Sequence, residues 1–442
     1  CLSDRQVVAR TQTDIAFRWF LGLNIDDKVP DDSTISYFRS IRLGDSPFES
    51  FFNTIVQKCI ESDLIKSKRF IVDSTDVAAN VNYPRAKRLL CDAYRRMVRE
   101  LSKFNTNLAE SILIAFEEEI NNLKTNNEEI SMELYCLTAR KYAEEIYIKT
   151  YDEFRDNERY YDTFVTLWRI IEQYGENKTK TDRIISCVDP DARVGTKTKG
   201  NLKRGYKSHI IIDEESEIIL ASETTPFNEG DELHLKDVVE KVDKNFNLKP
   251  EEVSADTAYG TTDNRAYLKD NEIISNINFK DFSNQEYEVF NIRMFDIAED
   301  LSSAKCPNGY VSKDVYKSNG KRDEVVFRFS QDQCGNCPLF EQCIGSTGKK
   351  ARTVRVAERY DAISRDLHRN QTQEFKEAAN KRYIIERRFA TLVRNHGLRR
   401  CRYLRQKGAK IHITLANIAC NIVRMVKLLS YKAKPSFAVP KI

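Results

Sequence analysis

"KRFIVDSTDVAANV", residues 68–81, decides the fold class. Phe70, Ile71 and Val72 form an unbroken apolar run, without helical spacing, that ends at Asp73-Ser74-Thr75. Such a run predicts a short buried β-strand closing on a carboxylate. "EEVSAD", residues 251–256, repeats the arrangement and closes on Asp256. "RIISCVD" (183–189), "SHIIID" (208–213), "IILASET" (218–224) and "EIISNINF" (272–279) predict further strands. The polar turn Glu214–Glu217 would join the second and third of these as a hairpin. Helical patterns follow the hairpin at "EGDELHLKDVVEKVDKNF" (229–246) and begin again near Thr261. Strands interleaved with helices in this order imply a mixed α/β core over residues 66–84 and 181–280.

Outward from that core the pattern becomes helical. Residues 85–180 are long, charged and poor in Gly and Pro, which predicts an all-helical insertion. Residues 1–60 read as short helices. In "VPDDSTISYFRSIRLG", Ile35, Phe38 and Ile41 face away from Arg39 and Arg42, as in the second half of a helix-turn-helix. Residues 281–360 are polar and cysteine-bearing, and residues 361–432 are helical again. At 442 residues, 41% hydrophobic and 31% charged, the chain can bury a sizeable core. No apolar run free of charge approaches the ~20 residues that span a bilayer, and the nearest candidate carries Arg424 and Lys427. A cytoplasmic protein without membrane association is expected, and no signal or transit peptide is visible. The opening at Cys1, without Met and in mid-pattern, leads to the expectation that an N-terminal piece precedes it.

Charge is unevenly placed. The segment Lys381–Lys410 holds eleven Lys or Arg and a single acid, Glu386, so it carries +10 in a chain whose total is +4. A solvated helix face usually mixes signs, and this one does not; a polyanionic partner, nucleic acid above all, is expected there. Arg382, Arg387, Arg388, Arg394, His396, Arg399, Arg400 and Arg402 are the candidate phosphate contacts, with Arg382 one turn before Glu386 on the same helix face. An acid beside an apolar strand is costly to bury unless it is paired or binds metal. Magnesium (or Mn²⁺) takes oxygen ligands from one or two carboxylates plus substrate phosphates. Two such ions would activate the attacking oxygen and steady the leaving one. Asp73, Asp256 and Glu386 are therefore the candidate metal ligands, against the plainer readings of turn caps and a helix-surface Glu.

"DSTDVAANV", "ADTAYGTTDN" and "YIIERRF…HGLRR" resemble the first Asp, second Asp and Glu blocks of the DDE transposases of bacterial insertion sequences. "LSDRQVVARTQTDIAFRWFLGLNIDDKVPDDSTISYFR" is similar to the N-terminal domain of that family, and "VDPDAR…GYKSHIIID" to the block between its two Asp. The resemblance implies a ribonuclease H-like core whose first and fourth strands bring Asp73 and Asp256 together, with Glu386 arriving from a later helix. It implies strand cleavage at insertion-sequence ends and strand transfer into target DNA, double-stranded DNA as partner, association with the nucleoid, and a homodimer in the DNA complex. Arg382 matches the Arg of a related Tyr-Arg-Glu-Lys signature, whereas Ala379 and Val393 stand at its Tyr and Lys positions, so a hairpin mechanism is not implied. The rival readings are another ribonuclease H-like nuclease or resolvase, and a transposase derivative that only binds DNA.

Eleven cysteines, most of them single in apolar contexts, suit a reducing compartment rather than a disulfide scaffold. Cys306, Cys334, Cys337 and Cys343 are different: C…C-x2-C-x5-C across a polar region fits a structural zinc site, which would hold a stretch with little core. A redox pair or four unrelated thiols are the alternatives. The five His are scattered and no phosphate-cradling glycine motif is present, so hydrolytic triads, zinc proteases and P-loop enzymes lack support.

Overall fold

The computed structural model describes residues 2–39, 46–126, 131–152, 156–175, 182–198, 200–279, 290–318, 324–345 and 349–432. Ile41 and Arg42, part of the basic face expected near the N-terminus, lie outside the described residues.

The core is a six-stranded mixed sheet. Its strands are β1 (Arg69–Ala78), β2 (Arg193–Thr198), β3 (Asn201–Asp213), β4 (Ile219–Pro226), β5 (Glu252–Ala255) and β6 (Ile274–Ile277). β1 is central: antiparallel to β3 on one side and parallel to β5 on the other, with β6 continuing parallel beyond β5. β4 and β2 pair with β3. Phe70, Ile71 and Val72 are fully buried, as a strand covered on both faces requires. β1 is longer than its apolar run, however. It continues five residues past Asp73, because β3 supplies backbone partners as far as Ala78. The turn after Asp213 makes the expected hairpin, with Glu217 in a left-handed conformation at φ 60°. "RIISCVD" forms no strand; the Gln173 amide takes both backbone groups of Ile184, at 2.9 and 3.0 Å, so that residue has none left for a sheet.

Four short or medium helices open the chain: α1 (Asp4–Thr13), α2 (Ile15–Phe20), α3 (Asp32–Tyr37) and α4 (Ser46–Glu61). α1 begins with a capping box made by Ser3 and Gln6, and Asp14 caps α2. Four longer helices, α5 (Ala86–Leu101), α6 (Thr106–Asn126), α7 (Met132–Lys149) and α8 (Glu158–Tyr174), pack round a core of their own that includes Leu90, Met97, Phe116, Tyr142 and Leu167. α9 (Leu235–Phe246) and α10 (Thr262–Asp270) lie among the strands of the sheet.

Residues 290–358 hold the two-stranded pair β7 (Asp296–Ile297) and β8 (Ala304–Lys305), and a three-stranded sheet of β9 (Asp314–Lys317), β10 (Glu324–Arg328) and β11 (Thr353–Ala357). The short helices α11 (Gln331–Gly335) and α12 (Phe340–Cys343) lie between β10 and β11. The chain ends in α13 (Tyr360–Arg369), α14 (Gln373–Lys381), α15 (Tyr383–His396) and α16 (Arg405–Lys432). α16 is long and apolar enough to cross a membrane by composition alone. Here it lays Ala409, Ile413, Ala416 and Cys420 into the sheet's core. Asn421 on the same helix bonds both backbone groups of Ile219 in β4, at 2.9 and 2.8 Å.

Candidate active site

Two of the three acids meet at the centre of the sheet. Val72 and Ala255 are register partners on the parallel strands β1 and β5, so Asp73 and Asp256 are the next positions along neighbouring strands ~4.8 Å apart. Each fixes one carboxylate oxygen on the following backbone N–H: Ser74 N to Asp73 Oδ1 and Thr257 N to Asp256 Oδ1, both at 2.7 Å. The separation of 183 positions between them is closed by strand pairing rather than by any local signal.

Glu386 comes from α15, whose apolar face (Ile385, Phe389, Leu392) packs against the sheet. It sits in the first turn, where the positive end of the helix dipole favours an acid. Arg382 joins it to the pair: Nη1 donates to Asp73 Oδ2 at 3.3 Å, and Nη2 lies 3.7 Å from Glu386 Oε1. Asp256 is exposed, and the Glu386 side chain is 62% exposed, so both stand open to an incoming ligand. Among the described residues no three His, Cys, Asp or Glu side chains stand close enough together to hold a metal ion. The Arg382 guanidinium stands between two of the three carboxylates and offsets their mutual repulsion.

Behind the acids lies a polar network that sequence reasoning missed. Lys207 Nζ lies 2.8 Å from Asp231 Oδ1 and donates to Glu229 O at 2.6 Å. Burial would raise the Asp231 carboxyl, but Lys207, with help from His209 and Ser74, holds it below its usual range. His209 stands opposite Ser74 in the β1–β3 register, and its Nε2 lies 3.0 Å from Thr225 Oγ1. Burial and the neighbouring His234 push its pKa down to about 3. Burial also raises the Tyr259 hydroxyl well above its usual value. The available signal was "GYKSHIIID", in which Lys207 and His209 stand two apart, on one face of a strand that runs on into Ile210–Ile212.

The basic segment divides in two. Arg387 and Arg388 are bound to Glu217, a residue only 5% exposed, and Arg424 joins them at 3.1 Å. The 2.8 Å Arg388–Glu217 approach is an ion pair by distance, since the Nε–H is not aimed at the oxygen. Lys381, at the end of α14, binds Glu214 at 2.8 Å, so cations from α14, α15 and α16 converge on the β3–β4 turn. Arg388 and His396 are about nine-tenths buried and form no part of an exposed basic face. His396 ends α15, and burial lowers its pKa. Gly397 follows in a left-handed conformation, φ 70°, which turns the chain back toward β1. Arg399 O and Cys401 N then bond to Ala78 at 3.0 and 2.7 Å. Arg394, Arg399 and Arg400 are exposed and have no acidic partner among the described residues. Arg402 donates to Leu2 O at 2.8 Å, and Arg39 lies over the Tyr403 ring, so the N-terminal helices dock beside this stretch.

The four clustered cysteines give the zinc expectation no support. All are free thiols, and Cys306, Cys334 and Cys337 lie within electrostatic reach of Cys343, whose thiol is raised chiefly by burial. They do not close into a metal-ligand group. The argument that this region lacks a core also fails, because Phe295, Val325, Phe327, Phe329, Val354 and Val356 form one, with Cys306, Cys334 and Cys343 packed against it. The alternating apolar residues of "EVVFRFS" and "TVRVA" carry that signal.

Residues 305–426 match the family described as Transposase DDE domain, and residues 1–40 match the Transposase domain (DUF772). The first match takes in the cysteine segment, Glu386 and the basic segment; the second takes in the N-terminal helices. No curated protein and no solved structure matches the chain.

Proposed function

We propose that this chain, which belongs to the DDE transposases of insertion sequences, cleaves DNA at insertion-sequence ends and joins the freed 3′-hydroxyl to target DNA. The observation that carries the reading is the adjacency of Asp73 and Asp256 on parallel strands, with Arg382 tying Asp73 to Glu386. A ribonuclease H-like core is the matching fold proposal. It is supported by a central β1 flanked by antiparallel β3 and parallel β5, with the Glu on a late helix packed over them.

Asp73, Asp256 and Glu386 would hold the divalent ions, since a half-buried carboxylate flanked by two exposed ones is an oxygen donor set for a hard cation. Bound magnesium supplies a more acidic water and charge neutralisation at the leaving oxygen. The backbone N–H groups of Ser74 and Thr257 hold the two Asp carboxylates in place before substrate arrives. Arg382 offsets the charge of Asp73 and Glu386, and its fork is suited to a phosphate oxygen once one enters. Hydrolysis adds water across one P–O bond, leaving a 3′-hydroxyl and a 5′-phosphate. In the joining step that hydroxyl's oxygen bonds to a target phosphorus, and the target's own 3′-oxygen leaves with a proton. The joining step breaks one phosphodiester bond and forms one, and the hydrolytic step is downhill, so no energy cofactor is required.

The test is cleavage by the full chain of duplexes carrying the ends of its own insertion sequence, with magnesium. Asp73→Ala, Asp256→Ala and Glu386→Ala should each abolish cleavage while DNA binding persists. Appreciable cutting by Glu386→Ala would remove the third acid from the assignment.

A further inference from the structure

A second site lies between α5 and the chain leaving β1. In α5 the residues Leu89, Leu90, Ala93, Tyr94, Met97 and Val98 are buried. Arg88, Asp92, Arg95, Arg96 and Arg99 therefore fall at i, i+4, i+7, i+8 and i+11 on the opposite face. From Arg88 to Arg99 this stripe is ~16 Å long at ~1.5 Å per residue. It forms one wall of a cleft of about 950 Å³. The other walls are the loop Asn80–Pro84, the segment Ser186–Val188, and Arg400, held there by the pairing of its neighbours with Ala78.

The charges in this cleft do not cancel. Arg88 is offset by Asp92 at 3.3 Å, and Arg95 is bound by Glu117 at 2.9 Å. Arg96, Arg99 and Arg400 have no acidic partner among the described residues. An ordinary solvated helix face mixes signs and stands free. This one directs two unoffset guanidiniums, with Arg400 as a third from another wall, into a cleft whose other surfaces offer the neutral polar groups of Asn80, Asn82 and Ser186. Gathering like charges is unfavourable unless an anion occupies the space between them.

We propose that this cleft binds the phosphodiester backbone of DNA away from the point of cleavage, an inference that rests on the function proposed above. β1 is the ruler: five residues from Asp73 to Ala78 at ~3.3 Å each place the cleft's entrance ~17 Å from the carboxylates. Duplex DNA rises ~3.4 Å per base pair, so backbone contact begins about five base pairs from the cut and the stripe spans about five phosphates. A single nucleotide's phosphates would fill only part of it. Gly205 (φ +137°) permits the geometry, because a Cβ there would lie 2.4 Å from Val77 O and force β3 off the end of β1.

The experiment is a salt titration of the full chain on a random-sequence duplex, since phosphate contacts need no particular sequence. The Arg96→Gln, Arg99→Gln double variant should lower the log–log salt slope by roughly 1.8, about 0.9 for each lost contact. The corresponding double Lys variant should restore most of it. Arg400→Gln, outside α5 and so independent of the helix's folding, should lower the slope by roughly 0.9. Unchanged slopes in both Gln variants overturn the cleft, as does a Lys variant no better than Gln. The Asp73, Asp256 and Glu386 variants should keep the parental slope. Cleavage that survives all three would sink the carboxylate assignment and leave the cleft standing, so the two failures are distinguishable.

Discussion

Arg382 Nη1 lies 3.3 Å from Asp73 Oδ2 across 309 residues of sequence. The same guanidinium reaches Glu386, so one cation answers two acids on different elements. In Arg382→Gln those acids would lose their shared counter-charge. The variant should melt below the parent in chelator and gain more than the parent from millimolar Mg²⁺, because a divalent ion then supplies the missing charge. Thermal melts with and without Mg²⁺ check this; an identical gain in both proteins would mean Arg382 does not compete with metal.

Glu217 receives Arg387, Arg388 and Arg424 on a turn between strands. Removing one partner of a buried ion pair leaves the other charge uncompensated and costs about 3–5 kcal/mol. Glu217→Gln should fall at the lower end, about 3 kcal/mol, because the Arg387 side chain is half exposed. Denaturant unfolding measures it. A loss of only a few tenths would return Arg387 and Arg388 to the pool of candidate DNA contacts.

His209 gives the fold an acid sensitivity with a defined sign. Its pKa is near 3 in the folded chain, with His234, Asp231 and Lys207 around it, and ~6.5 when unfolded. The neutral form therefore stabilises the fold above pH ~6.5, and that contribution is lost as pH falls from there toward 3. His209→Gln removes the titrating group, so its stability should fall less than the parent's between pH 7 and 5. Parallel curves for the two proteins would show that His209 takes its proton without unfolding the chain.

Phe327 is fully buried in β10, among residues that hold the cysteine-bearing region together. Phe327→Ala should cost about 3–5 kcal/mol in that region, the usual range for a buried aromatic. Limited proteolysis or hydrogen exchange across residues 290–358 reads the effect. If metal rather than packing held the segment, chelator would loosen the parent and the substitution would cost little.

Local chemistry was enough to locate the strands carrying Asp73 and Asp256, the Glu214–Glu217 hairpin turn and the helix carrying Glu386. Each depends on residues a few positions apart, and apolar spacing and turn residues act over that range. The interleaving of strands and helices likewise identified a mixed α/β protein. The family was legible because its motifs are short and contiguous. "RIISCVD" shows the limit of this reasoning: a good strand pattern became irregular chain because Gln173, on a preceding helix, took the backbone groups of Ile184.

Tertiary structure decided which charges are available. By sequence, Arg388 and Arg394 are equivalent members of one basic run. Folding buries the first against Glu217 and leaves the second in solvent. Asp73 and Asp256 lie far apart in the chain, and only the parallel pairing of β1 with β5 makes them neighbours. The arginine stripe of α5 was present in the sequence at helical spacing, but the loop after β1 and the return of Arg400 made it the wall of a cleft. Periodicity records which face of an element is apolar. What the other face meets depends on long-range packing, because an ion pair or a cleft needs two surfaces and a local sequence describes only one.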